Sequence, residues 1–213
     1  MKIISHRGYW KALDERNSIE AFKRSFDLGF GTETDVRDCA GELVISHDMP
    51  TGTELRVSDF LDIYCSSGCK EPLALNIKSD GLQESLKILL EDFKVNNYFL
   101  FDMSVPDAVV SLRNELICYT RQSEYEQPCS FYEQASGVWM DEFHSDWIDF
   151  CQVQEHLKNG KKVCIVSPEL HGRDPKEKWL QYIEFNKFTG SEDIILCTDL
   201  PEIAKEFINN AED

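Results

Sequence analysis

Eight short apolar runs punctuate the chain, and nearly every one is followed by a stretch with helical periodicity. The runs are Lys2–His6, Thr32–Arg37, Leu73–Lys78, Tyr98–Asp102, Leu116–Thr120, Gly137–Asp141, Lys162–Ser167 and Asp193–Thr198. Most are apolar without alternation, the pattern of strands covered on both faces and therefore paired in parallel. Parallel neighbours need right-handed crossovers. Eight strand–crossover units predict an α/β fold, a small single-domain (β/α)8 TIM barrel spanning residues 1–213. Dividing 213 residues by eight gives about 27 per unit, near the lower end for this architecture. An open doubly wound sheet is the alternative. No G-x-G-x-x-G follows the first run, which weakens its dinucleotide-binding form.

The helical stretches carry their own punctuation. Asn17-Ser18-Ile19-Glu20 reads as a capping-box start, with Ile19, Phe22 and Phe26 on one face and Gly29 as the stop. Leu82, Leu86, Leu89 and Phe93 form a second stripe, and Ser104 precedes Pro106 at a third start. Ser145 is expected to cap a helix carrying Trp147, Ile148, Cys151 and Leu157. Asp174-Pro175 and Asp199-Leu200-Pro201-Glu202 open the last two. The unit after Leu116–Thr120 is the weakest, broken by Pro128.

Lys and Arg number 22 against 39 Asp and Glu, a net charge of −17. That field disfavours broad electrostatic binding to nucleic acid or to anionic membranes. A small phosphorylated substrate is still allowed, since a few basic residues can dominate one cleft. No run approaches the roughly 20 apolar residues that cross a bilayer, so no stable membrane insertion is expected. The segment Met1–Arg7 turns polar too soon for a secretory signal core. The eight cysteines form no C-x-x-C, and Cys65-Ser-Ser-Gly-Cys69 reads as a reduced loop pair in a cytoplasmic protein.

In such a barrel the chemistry gathers at the C-terminal strand ends. The first ends in His6-Arg7-Gly8, and the second carries Glu33-Thr34-Asp35. After a turn at Ala40-Gly41, the run Glu42–Ser46 leads into His47-Asp48; the third ends in Asn76-Ile77-Lys78. Glu33 and Asp35 are two apart on a strand, so both point to one face. Two crowded carboxylates repel unless a cation separates them, and Mg²⁺ or Ca²⁺ is the natural occupant. An ion-paired polar layer would satisfy the same residues. Histidine is the side chain best suited to move a proton either way, which makes His6 and His47 candidates for proton transfer, though a structural role is open to each. Arg7 and Lys78 place positive charge where phosphoryl oxygens could sit, or form surface ion pairs.

Together these segments resemble the glycerophosphodiester phosphodiesterase family, within the phosphatidylinositol-specific phospholipase C-like superfamily. The family's H-R-G is matched by His6-Arg7-Gly8 and its E-x-D-V by Glu33-Thr34-Asp35-Val36. Its E-N-T before an A-F helix is matched by Asn17-Ser18 with Ala21-Phe22. Its G-E-L-V before H-D is matched by Gly41-Glu42-Leu43-Val44 and His47-Asp48. Leu196-Cys197-Thr198-Asp199-Leu200-Pro201 resembles I-I-T-D-x-P. The resemblance implies a metal-dependent phosphodiesterase of lipid metabolism acting on a small glycerol- or sugar-linked phosphodiester. Glu33, Asp35 and Asn76 would hold Mg²⁺ or Ca²⁺. His6 and His47 would be the acid–base pair, and Arg7 and Lys78 would hold the phosphoryl oxygens.

Two departures stand out. Asn76 occupies the place of the family's third carboxylate, which leaves Asp102, Asp141, Glu142 and Glu169 as candidates to supply another. The family's insertion after H-D is reduced to Met49–Glu71. A catalytically silent barrel that binds a phosphorylated ligand is the competing reading, and transfer to a cyclic phosphate is a third. His171 or Arg173 is expected at the substrate headgroup, or simply as loop surface charge, and Tyr9 and Trp10 either stack on a sugar or lipid-like group or pack internally.

Overall fold

The computed structural model describes residues 1–212. Its strands are β1 (Lys2–His6), β2 (Gly31–Cys39), β3 (Glu42–Ile45), β4 (Leu73–Ile77), β5 (Tyr98–Phe101), β6 (Tyr119–Gln122), β7 (Gly137–Met140), β8 (Lys162–Val166) and β9 (Ile194–Thr198). Their order in the sheet is β5-β4-β2-β1-β9-β8-β7-β6, with β3 paired to β2 outside that path. The helices are α1 (Ile19–Asp27), α2 (Val57–Ser67), α3 (Gln83–Asp92), α4 (Val105–Arg113), α5 (Phe150–Lys158), α6 (Lys176–Thr189) and α7 (Pro201–Glu212). Strands alternating with helices in this order make the (β/α)8 fold expected from the sequence. No α-helix joins β6 to β7 among the described residues, where Pro128 interrupts the pattern.

The chain divides into two compact units, one of them Ser5–Cys118. There β2, β4 and β5 run parallel, with Asp35 opposite Asn76 and Asn76 opposite Phe101. Leu100 forms a parallel bridge to Cys118. The core packs the outer faces of these strands under three helices. Phe22 and Phe26 of α1 meet Phe60 and Tyr64 of α2, with ring centroids 4.6 Å (Phe22–Phe60) and 5.3 Å (Phe26–Tyr64) apart. Leu73, Leu75, Leu86 and Leu90 extend the same cluster. Ile19, expected on the buried stripe, is exposed instead. Gly8 is fixed by space and by backbone: at φ +78°, a Cβ there would lie 2.8 Å from that of Ala21.

β3 is a short antiparallel return, with Val36 opposite Ile45 and Cys39 opposite Glu42. It folds the chain back, so that Ser46 N donates to Asp35 O at 3.0 Å. The hairpin thus returns His47 to the level of the second strand's acidic pair.

The other unit comprises Met1–Ile4 and the residues from Tyr119 onward. There β6 to β9 are parallel neighbours. Trp179 of α6 is buried, donates from Nε1 to Ser167 Oγ at 2.8 Å and meets Phe207 edge-on. Gly137 admits the Tyr119 ring; a Cβ there would come within 2.5 Å of it.

Four of the expected boundaries move. β6 is Tyr119–Gln122 rather than Leu116–Thr120, because its register against β7 recruits the polar Arg121 and Gln122. α5 starts after Asp149, not Ser145. The Asp149 carboxylate accepts from Gln152 N while the Gln152 side chain accepts from Asp149 N, a complete capping box. Ser145 is bonded to Glu124 instead. α6 starts at Lys176 and α7 at Pro201, each later than the sequence signals suggest. All eight cysteines are free thiols, Cys65 and Cys69 among them.

Candidate active site

The first unit gathers His6, Arg7, Asn17, Glu33, Asp35, Asn76, Lys78 and Asp102 through mutual contacts and strand register. Glu33 and Asp35 lie on β2 with almost no exposure. Glu33 Oε2 accepts from Arg7 N at 3.2 Å and lies 3.9 Å from His6 Nε2. Burial pushes the Glu33 carboxyl up to about 7, with the Asp35 charge adding to the rise.

Asp35 sits between two cations. Arg7 Nε is 3.1 Å from its Oδ2, and Lys78 Nζ is 3.5 Å from its Oδ1. Lys78 also reaches Asp102 Oδ2 at 3.2 Å. Asn17 Nδ2 donates to Asp35 Oδ2 at 2.9 Å, Asn17 Oδ1 accepts from Thr34 Oγ1, and Asn17 N donates to Arg7 O. Arg7, Asn17 and Asp102 all have left-handed backbone, at φ 57°, 59° and 72°. Non-glycine residues hold that conformation only where tertiary contacts repay its cost.

The expected metal ligands pass a chemical test. Register pairs Asp35 with Asn76 on adjacent parallel strands, so their side chains leave on one face, shared with Glu33. Asp35 Oδ1 and Asn76 Oδ1 are both buried without a hydrogen bond, the first with only the Lys78 ammonium 3.5 Å away. Buried oxygens without donors are costly unless something else satisfies them. Two such oxygens beside a crowded carboxylate fit a hard dication. Among the described residues no set of three His, Cys, Asp or Glu forms a metal cluster; the third donor here is an amide.

His47 is nearly half exposed, with Nδ1 2.9 Å from Asp48 Oδ1 and its carbonyl accepting from Arg37 Nε. Its link to the acidic pair is the Ser46–Asp35 backbone bond. Tyr9 is buried, donates its N–H to Ala21 O and carries the Lys11 ammonium 3.9 Å from its ring centre. Trp10 donates from Nε1 to His6 O and carries the Arg16 guanidinium 4.4 Å over its ring. Sequence reasoning treated Asn17 as part of a helix start and of a motif match, with no role assigned, and Asp102 as a spare ligand. The structure makes the first a brace for Arg7 and Asp35, and the second a partner of Lys78.

The remaining carboxylates belong to the other unit, where each has its own partners. Asp141 Oδ1 lies 2.6 Å from His171 Nε2. Glu142 accepts from Ile148 N at 2.7 Å, Lys178 Nζ at 2.9 Å and Tyr182 OH at 3.2 Å. Glu169 accepts from Asp199 N at 3.1 Å and from the hydroxyls of Ser167 and Thr198. Arg173 pairs with Asp146 at 2.8 Å and donates to Glu142 O.

No family model matches the chain, and no curated protein matches its sequence. Solved structures do. A provisionally assigned glycerophosphodiester phosphodiesterase from Galdieria sulphuraria has a TM-score of 0.79 at 20% identity, over 98% of both chains. A glycerophosphodiester phosphodiesterase from Agrobacterium tumefaciens has a TM-score of 0.68 at 16% identity, over 97% of this chain and 99% of that one. A glycerophosphoryl diester phosphodiesterase from Parabacteroides distasonis has a TM-score of 0.69 at 15% identity, over 98% of this chain and 86% of that one. The similarity covers nearly the whole chain and is a similarity of fold.

Proposed function

We propose that this chain is a metal-dependent phosphodiesterase acting on a small glycerol- or sugar-linked phosphodiester. The observation that carries the reading is the buried Glu33–Asp35 pair, flanked by Arg7 and Lys78 and facing the unpartnered Asn76 Oδ1. The fold shared with three phosphodiesterase structures supports it.

Glu33, Asp35 and Asn76 would hold Mg²⁺ or Ca²⁺. When bound, such an ion supplies Lewis-acid charge to a phosphoryl oxygen. The chain's own groups do the rest. Arg7 engages Asp35 through Nε, which leaves its terminal N–H groups for phosphoryl oxygens; Lys78 adds a second cation. These charges offset the anion that otherwise repels an incoming nucleophile. His6, held beside Glu33, and His47, held beside Asp48, divide the proton transfers. One takes the proton of the nucleophile and the other gives one to the leaving alkoxide.

Hydrolysis of bis-p-nitrophenyl phosphate with and without Mg²⁺ or Ca²⁺ tests this. The expected result is metal-stimulated turnover in the wild type and its loss in His6→Ala. Absence of metal-stimulated turnover on any phosphodiester would leave a silent phosphate-binding barrel. Phosphorus NMR of the product separates hydrolysis from cyclic-phosphate formation.

A further inference from the structure

We infer that this chain takes up its divalent cation and its phosphodiester as a coupled pair, each weakly held alone, because an amide stands at Asn76. The inference rests on the phosphodiesterase reading and deepens it.

The argument is one of charge in a buried place. Glu33, Asp35 and Asp102 are three carboxylates, and Arg7 and Lys78 are two fixed cations in contact with them. His47 and Asp48 form their own pair at an exposed position. By formal charge, three carboxylates against two cations leave the cluster one net negative charge, with the His6 imidazole outside the count. Asp35 already has a cation near each oxygen, so its pull on a further ion is partly spent. Asn76 contributes a buried, unpartnered Oδ1 but no charge.

A dication entering this cluster leaves one net positive charge behind. A phosphodiester entering alone, as a monoanion, leaves two negative charges. Either excess is costly away from bulk water. Both together return the cluster to neutrality, so each ligand raises the affinity for the other. Linkage makes that enhancement the same in both directions. A carboxylate at position 76 would change the count: the dication alone would then neutralise the site, and the anion would no longer be needed.

Isothermal titration calorimetry reads this without turnover. Mg²⁺ is titrated into the wild type with and without saturating methyl methylphosphonate, a monoanion of phosphodiester shape. The affinity for Mg²⁺ is expected to rise at least about fivefold with the phosphonate present, and Mg²⁺ to tighten phosphonate by the same factor. Asn76→Asp, which keeps the size and adds the charge, is expected to bind Mg²⁺ alone at least about tenfold tighter, with the coupling reduced. Asn76→Glu is the second variant. If neither folds, the two wild-type titrations decide by themselves. Mg²⁺ binding to the wild type with an affinity indifferent to the phosphonate overturns the coupling and leaves the phosphodiesterase reading standing. No binding of Mg²⁺ or phosphonate, alone or together, in any variant overturns both.

Discussion

The two halves of this chain bury acids in opposite ways. In the second unit, Glu142 is fully enclosed and its oxygens accept from a backbone N–H, a lysine and a tyrosine. Glu124 accepts from three successive backbone N–H groups, of Phe143, His144 and Ser145. Its slight burial pulls that carboxyl up, but the N–H groups outweigh it and bring it to about 2. In the first unit, Asp35 Oδ1 has no hydrogen bond and only the Lys78 ammonium 3.5 Å away, the neighbouring Asn76 Oδ1 has no hydrogen-bond partner, and Glu33 is pushed up to about 7. Satisfied buried acids hold loops in place. Unsatisfied ones cost stability and persist where a ligand completes them. The contrast is the physical ground for the proposed binding role of the first cluster, and it makes no appeal to relatives.

The contrast can be broken by mutation. The largest effect expected is on turnover: His6→Ala should lower kcat by about 10²–10⁴-fold, the worth of a positioned proton carrier. Its unfolding midpoint should move little. Lys178→Met should act the other way round. It strands the buried Glu142 carboxylate, and urea titration should show a loss of about 3–5 kcal/mol. Asn76→Leu removes an unpartnered buried oxygen, so stability should hold or rise by about 1 kcal/mol while Mg²⁺ binding weakens. A stability loss at position 76 as large as that at 178 would erase the distinction.

What the sequence reveals of this molecule follows from how local each feature is. Glu33 and Asp35 could be placed on one face because strand periodicity is local. Arg7 and Gly8 could be placed at a strand exit for the same reason. The bond of Asn17 to Asp35 could not, since it needs Asn17 in a left-handed conformation that its neighbours in space impose. Asp102 is similar: its role depends on φ 72° and on a lysine 24 residues away. The false start of α5 at Ser145 has a matching cause. Trp147 and Ile148 continue a helical apolar pattern, but Trp147 Nε1 is bonded to Asp141 O and Ile148 N to Glu142, which hold both in the loop. Periodicity reports which residues are buried, not whether a helix buries them.

The smallest effect sharpens the comparison within the second unit, through two histidines whose shifts have opposite signs. His156 is buried; Tyr132 OH and Gln122 Oε1 lie within hydrogen-bond distance of its two ring nitrogens. Burial holds its pKa below the usual histidine value. The unfolded chain then binds the extra proton more readily, so this residue costs stability as pH falls below about 6.5. His171 is bonded to Asp141, and that bond raises its pKa against the opposing effect of burial. Its contribution is fully present below about pH 6.5 and is lost as pH rises through the folded value. Urea midpoints across pH 5 to 8 should therefore show His171→Gln furthest below the wild type at the acid end, with the gap closing toward the alkaline end. His156→Phe should show the reverse trend, gaining on the wild type as the medium turns acid. A gap at position 171 that widened with rising pH would mean that Asp141 does not hold a charged imidazole, and that the loop depends on a neutral hydrogen bond instead.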